Sequence, residues 1–256
     1  MSDSLALGLV LVFTVILPEA LGAYGAYWAF SIRRALVGRV YRNHALWLGV
    51  VCVVFRLALT VANISTNSTL ISLALNLVIA GLLVVVFAFI DSVVAVARRS
   101  DPLLRSILRW EKLRIALWFD VVLATIYLII SSVDPAATNS GVGGAVGFPL
   151  ILLPFIIGAP AVLVGARRSM DPVLQGSLRW FGAFLLFFLV TALVSFVELV
   201  VLGISAYDST YSYPALAFAP PSILAGYALY RSARSLSPMS RLPAVESKAA
   251  SHPIQA

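Results

Sequence analysis

Apolar residues along this chain gather into seven long stretches separated by short polar connections, at about 5–31, 46–63, 69–96, 114–132, 148–166, 180–204 and 213–230. A helix needs about 20 apolar residues to cross a ~30 Å hydrocarbon core, so the pattern predicts seven transmembrane helices. The seventh stretch is short and holds Pro220-Pro221 in mid-run, which predicts a broken helix there. The fifth carries Pro149, Pro154 and Pro160. Breaks at mid-depth are tolerated where protein or a water-filled cavity satisfies the freed backbone groups, so a cavity is expected near these two spans. Pro18, with Gly22 and Gly25 close by, predicts a kink in the first helix.

Composition agrees. The 256 residues are 61% apolar and 11% charged, against about 45–50% and about 25% in soluble domains. Such a chain cannot cover a globular surface with polar groups, and it is far too apolar for disorder. The opening Met1-Ser2-Asp3-Ser4 has no basic n-region, so the first stretch reads as a span and not as a cleaved signal peptide. Residues 1–231 form the expected seven-helix domain, and 232–256 an expected disordered basic tail. Cys52, the single cysteine, lies inside an apolar run and reads as a small core hydrophobe.

Charge adds orientation. Seventeen of the eighteen Lys and Arg residues fall after spans one, three, five and seven. The other connections (63–69, 133–147 and 204–213) hold only Asp134 and Asp208. The positive-inside rule puts the basic side in the cytoplasm, the N-terminus outside and the C-terminus inside, in a multi-pass protein of the cell membrane. The net charge of +7 then has anionic lipid headgroups as its default partner and not nucleic acid.

One segment repeats. Ala97 to Trp110 and Ala166 to Trp180 agree at ten of fourteen positions once Met170 is treated as an insertion. Each copy has an Arg pair (Arg98-Arg99, Arg167-Arg168), then an Asp-Pro step (Asp101-Pro102, Asp171-Pro172), then Arg-Trp (Arg109-Trp110, Arg179-Trp180). The arginines close one helix at the headgroups, and the Asp caps the next, with Pro at its first position. In-phase hairpins follow (spans 1–2, 3–4 and 5–6) with a lone span seven. The repeated turn is a reused hairpin connection or a symmetric docking surface.

Five ionisable residues fall within spans: Glu19, Arg56, Asp91, Asp120 and Glu198. Each costs at least about 2.5–3.5 kcal/mol near the bilayer centre, so partners or water are expected. Glu19 and Arg56 lie at one depth and form the expected ion pair. Asp91 and Asp120 lie six or seven residues from the basic edge, and Glu198 lies in the outer third. The ladder reads as a path for a proton, a cation or a polar solute, or as pairs that glue helices, with Asp91 or Asp120 reaching back to Arg114.

Several chemistries are excluded. Lys112 and Lys248, the only lysines, lie outside the spans, so no retinal Schiff base forms in span seven. His44 and His252 offer no intramembrane haem ligation, and no set of residues has metal-site spacing. The sequences before Asp91 and Asp120 lack the Gly-x-Gly-Asp pattern of intramembrane aspartyl proteases. No P-loop or nucleophile elbow is present, so neither an enzyme nor a bound cofactor is expected. Asn67-Ser68-Thr69 is a glycosylation sequon on the outer side. Three functions stay open: a small-solute or ion permease or channel using the buried carboxylates, a non-catalytic subunit or scaffold (as a homo-oligomer or within a membrane complex), and a seven-span sensor acting through a cytoplasmic partner.

Overall fold

The computed structural model describes residues 8–9, 11–36, 39–64, 69–100, 110–134, 141–169, 171–197 and 213–237. Among them there are seven α-helices and no strand. They are α1 (Leu17–Arg33), α2 (Arg39–Ile64), α3 (Thr69–Ser100), α4 (Trp110–Val133), α5 (Gly141–Arg168), α6 (Pro172–Phe196) and α7 (Tyr213–Ser235). Four contain segments long and apolar enough to cross a membrane: Tyr41–Thr60, Lys112–Val133, Val146–Arg167 and Pro172–Val194. A shorter apolar run, Asn76–Ser92, lies in α3. This is the length and composition of a membrane protein.

The sequence explains the helix ends. Asp171 caps α6: its Oδ1 accepts from the backbone N–H groups of Val173 and Leu174 at 2.8 and 3.2 Å, and Pro172 opens the helix. Both Arg pairs of the repeat stand at helix ends, since α3 finishes at Ser100 and α5 at Arg168. Just ahead of Pro18 stands a π-helical turn, Val12–Ile16, in which the Leu17 N–H reaches back to the Val12 carbonyl. Proline has no N–H and its ring crowds the carbonyl four residues earlier, so a wider turn ahead of it relieves the clash.

Two expectations from proline are corrected. Helix α7 runs unbroken through Pro220 and Pro221, and α5 through Pro149, Pro154 and Pro160. Both helices are held between neighbours, α7 between α6 and α1, and α5 beside α3, α4 and α6. Packed on several sides, a helix keeps its course although single backbone bonds are lost.

Each helix packs on the next in the chain, and α7 returns to α1, so the seven close a ring in sequence order. The seal is tight. A Cβ on Gly226 of α7 would stand 3.1 Å from the Pro18 carbonyl oxygen, and one on Gly25 would stand 2.9 Å from the Cys52 sulfur and 3.4 Å from the Tyr230 Cα. Inside the ring, aromatic rings form a connected cluster. Phe89 meets Phe181 at 4.0 Å between centroids, Phe181 meets Phe184 at 5.6 Å, and Phe184 meets Phe55 at 5.5 Å. Phe184 also meets Phe188 at 6.0 Å, which stacks on Phe155 at 4.5 Å. Phe55, Phe89, Phe155, Phe181 and Phe184 are all buried. Offset and edge-on pairs of this kind add to the packing that area alone provides.

Candidate functional site

Within apolar helices, the groups able to do chemistry are the few buried polar ones, and they fall into three clusters. The first lies between α3 and α4. Arg114 Nε meets Asp91 Oδ2 at 2.9 Å, with the arginine half exposed and the carboxylate mostly covered. Six residues further along α4, Asp120 is 6% exposed, and its Oδ2 has no hydrogen-bond partner among the described residues. A buried carboxyl oxygen without a donor is costly and rare enough to require a reason.

The second cluster lies between α1 and α2. Thr60 Oγ1 donates to Glu19 Oε1 at 2.7 Å. Arg56, one turn before Thr60, is exposed, as are Val53 and Leu57 beside it, and its Cβ would stand 3.7 Å from a Cβ on Gly22 of α1. The expected Glu19–Arg56 ion pair is not formed among the described residues: the Thr60 hydroxyl reaches the carboxylate, and Arg56 is exposed. Sequence depth fixes level but not rotation about the helix axis, and rotation separates them.

The third cluster joins the basic ends of α2, α6 and α7. Ser177 Oγ donates to the Ser232 carbonyl at 2.9 Å, and Ser232 Oγ donates to the Ser177 carbonyl at 2.8 Å. With each hydroxyl proton on a carbonyl, Ser177 Oγ is left to accept from His44, whose Nε2 stands 3.1 Å away. That assigns the Nε2–H tautomer from the hydrogen-bond pattern. His44 packs on the Phe89 ring at 4.8 Å, and Tyr41 donates its hydroxyl proton to Asp171 Oδ2. One α2 turn thus holds both the cap and the first turns of α6. Sequence reasoning passed over Tyr41, His44, Ser177 and Ser232, because single serines and an edge histidine carry no spacing signal. The Ser177 position within the repeated turn was the available hint.

The remaining candidates are placed as follows. Glu198, Asp101 and Arg109 lie outside the described residues, as do the side chains of Arg98, Arg99, Trp110 and Arg168. Arg167 and Arg179 are exposed. Trp180 lies under the Arg231 guanidinium at 5.2 Å, an attraction between cation and ring face. No group of three His, Cys, Asp or Glu side chains suited to a metal ion comes together among the described residues. The structure thus divides the four described charged candidates between α1–α2 (Glu19, Arg56) and α3–α4 (Asp91, Asp120).

No protein-family model, curated protein or solved structure matches this chain.

Proposed function

We propose that this chain is a seven-span protein of the cell membrane, N-terminus outside and C-terminus cytoplasmic. On this reading it works as a proton-coupled permease or channel for a small solute or ion. The alternation of arginines supports the topology. They mark the end of α1 (Arg33), the start of α2 (Arg39, Arg42), the end of α5 (Arg167) and the end of α7 (Arg231, Arg234), as the positive-inside rule requires of antiparallel neighbours. The function rests on one observation, the bare Oδ2 of buried Asp120. Protonation removes the charge from that buried carboxyl and so lowers its desolvation cost, and losing the proton leaves a charge that the α3–α4 seam must stabilise. The Asp91–Arg114 pair, about 9 Å toward the basic end by helical rise, supplies a nearby cation and a second carboxylate.

The test is reconstitution into liposomes enclosing a pH-sensitive dye, with each class of small solute supplied in turn. Solute-driven proton movement is expected from the native chain and is expected to vanish in Asp120→Asn, which keeps shape and burial. Movement that survives Asp120→Asn overturns the assignment.

A second reading, a sensor or a non-catalytic subunit, is favoured by the aromatic cluster inside the ring and by the His44–Ser177–Ser232 link. A native chain that moves no protons and copurifies with a membrane or cytoplasmic partner supports that reading instead.

A further inference from the structure

Arg56 poses a question that the transport reading does not answer. It is a cationic side chain in the Tyr41–Thr60 segment, it is exposed, as are Val53 and Leu57 beside it, and it forms no ion pair among the described residues. Glu19, on the adjoining helix, has one carboxylate oxygen on Thr60 and is only partly covered. Both residues lie fourteen positions from a flanking arginine of their own helix, Arg33 for Glu19 and Arg42 for Arg56, or about 21 Å of helical rise. They share a depth. A Cβ on Gly22, one turn from Glu19, would stand 3.7 Å from the Arg56 Cβ, which confirms that α1 and α2 run side by side at this level.

Equal depth matters because of symmetry. Two copies that enter the membrane in the same orientation relate by a two-fold axis along the bilayer normal. Rotation about that axis preserves depth and exchanges left for right. A face with an acid on one side of the axis and a base at the same height on the other therefore complements itself.

We infer that the outer face of α1 and α2 is the contact between two copies of this chain, with Glu19 of each copy paired to Arg56 of the other. The inference rests on the membrane-spanning reading of these helices but not on transport. Each copy supplies the counter-ion that the other lacks, twice per dimer, and a pair buried away from water is held far more strongly than an exposed one. Exposed Val53 and Leu57 flank the pair on α2 and give the apolar contact around it.

Cross-linking in membranes tests this, with the buried Cys52 replaced by Ala to remove the sole native thiol. Leu57→Cys is expected to form disulfide-linked dimers under mild oxidation several-fold faster than Ile126→Cys, an equally exposed position on α4. Glu19→Arg and Arg56→Glu should each abolish the Leu57→Cys dimer. Coexpressing the two variants should restore it, because one copy then offers two arginines and the other two carboxylates. An ion pair within one chain cannot be repaired by coexpression, so failure to recover overturns the proposal. Equal cross-linking at Leu57→Cys and Ile126→Cys also overturns it. So does a dimer lost in Arg56→Glu but kept in Glu19→Arg, the pattern of an anionic lipid on Arg56. Helical circular dichroism of each variant checks that loss of the dimer is not loss of the fold.

Discussion

His44 and Asp120 are almost equally buried, at 7% and 6% exposure, yet their surroundings differ. Around His44, three helices contribute groups that match one another donor for acceptor: Nε2–H to Ser177, and each serine hydroxyl to the other's carbonyl. Around Asp120, the described residues offer Oδ2 no donor. The first arrangement behaves as a fastener, since satisfied buried networks fix which helices meet and in what register. The second contributes nothing to stability in its charged form. A side chain kept at a cost to the fold is where activity is to be sought.

Five variants sharpen or break this contrast, read as unfolding free energy in mixed micelles titrated with SDS. Phe184→Ala removes the ring shared by Phe55, Phe181 and Phe188. It should cost the most, about 3–5 kcal/mol, as for other fully buried aromatics. Ser177→Ala strands the His44 N–H and the Ser232 carbonyl and should cost about 1–3 kcal/mol. The double change Ser177→Ala with Ser232→Ala should cost less than the sum of the single changes, because partners disappear together. Asp120→Leu should have the opposite sign, raising stability by about 1–3 kcal/mol as the unsatisfied carboxyl is removed while proton-coupled flux is lost. A destabilised Asp120→Leu would show that the oxygen has a partner after all and would remove the contrast. Asp91→Asn should have the smallest effect, below about 1 kcal/mol, because its Arg114 partner is half exposed and water replaces the lost charge.

Much of the helical frame was legible from the chain. The apolar runs correspond to α1–α7, and Asp171-Pro172 announced the start of α6 through local chemistry alone, an acceptor side chain followed by a residue with no N–H to satisfy. Depth offered Arg114 to either Asp91 or Asp120, and the structure gives it to Asp91. Facing was not legible. Whether Arg56 points at Glu19 or away from it is a matter of rotation about α2, set by packing with α1 and α3 and not by any spacing in the sequence. The continuity of α7 through Pro220-Pro221 was likewise hidden, because α1, which holds one side of it, lies at the other end of the chain. His44 with Ser177 and Ser232 joins positions more than fifty residues apart, which no local pattern records.

Closure of the ring in sequence order also bears on how the molecule is made. Helices leaving the ribosome one after another find their packing partner already waiting, so little searching is needed through most of synthesis. The exception is the seam at which Gly226 meets the Pro18 carbonyl. Until the last helix arrives, α1 has an open flank, and a nascent chain stalled before that point is the form most exposed to quality-control proteases.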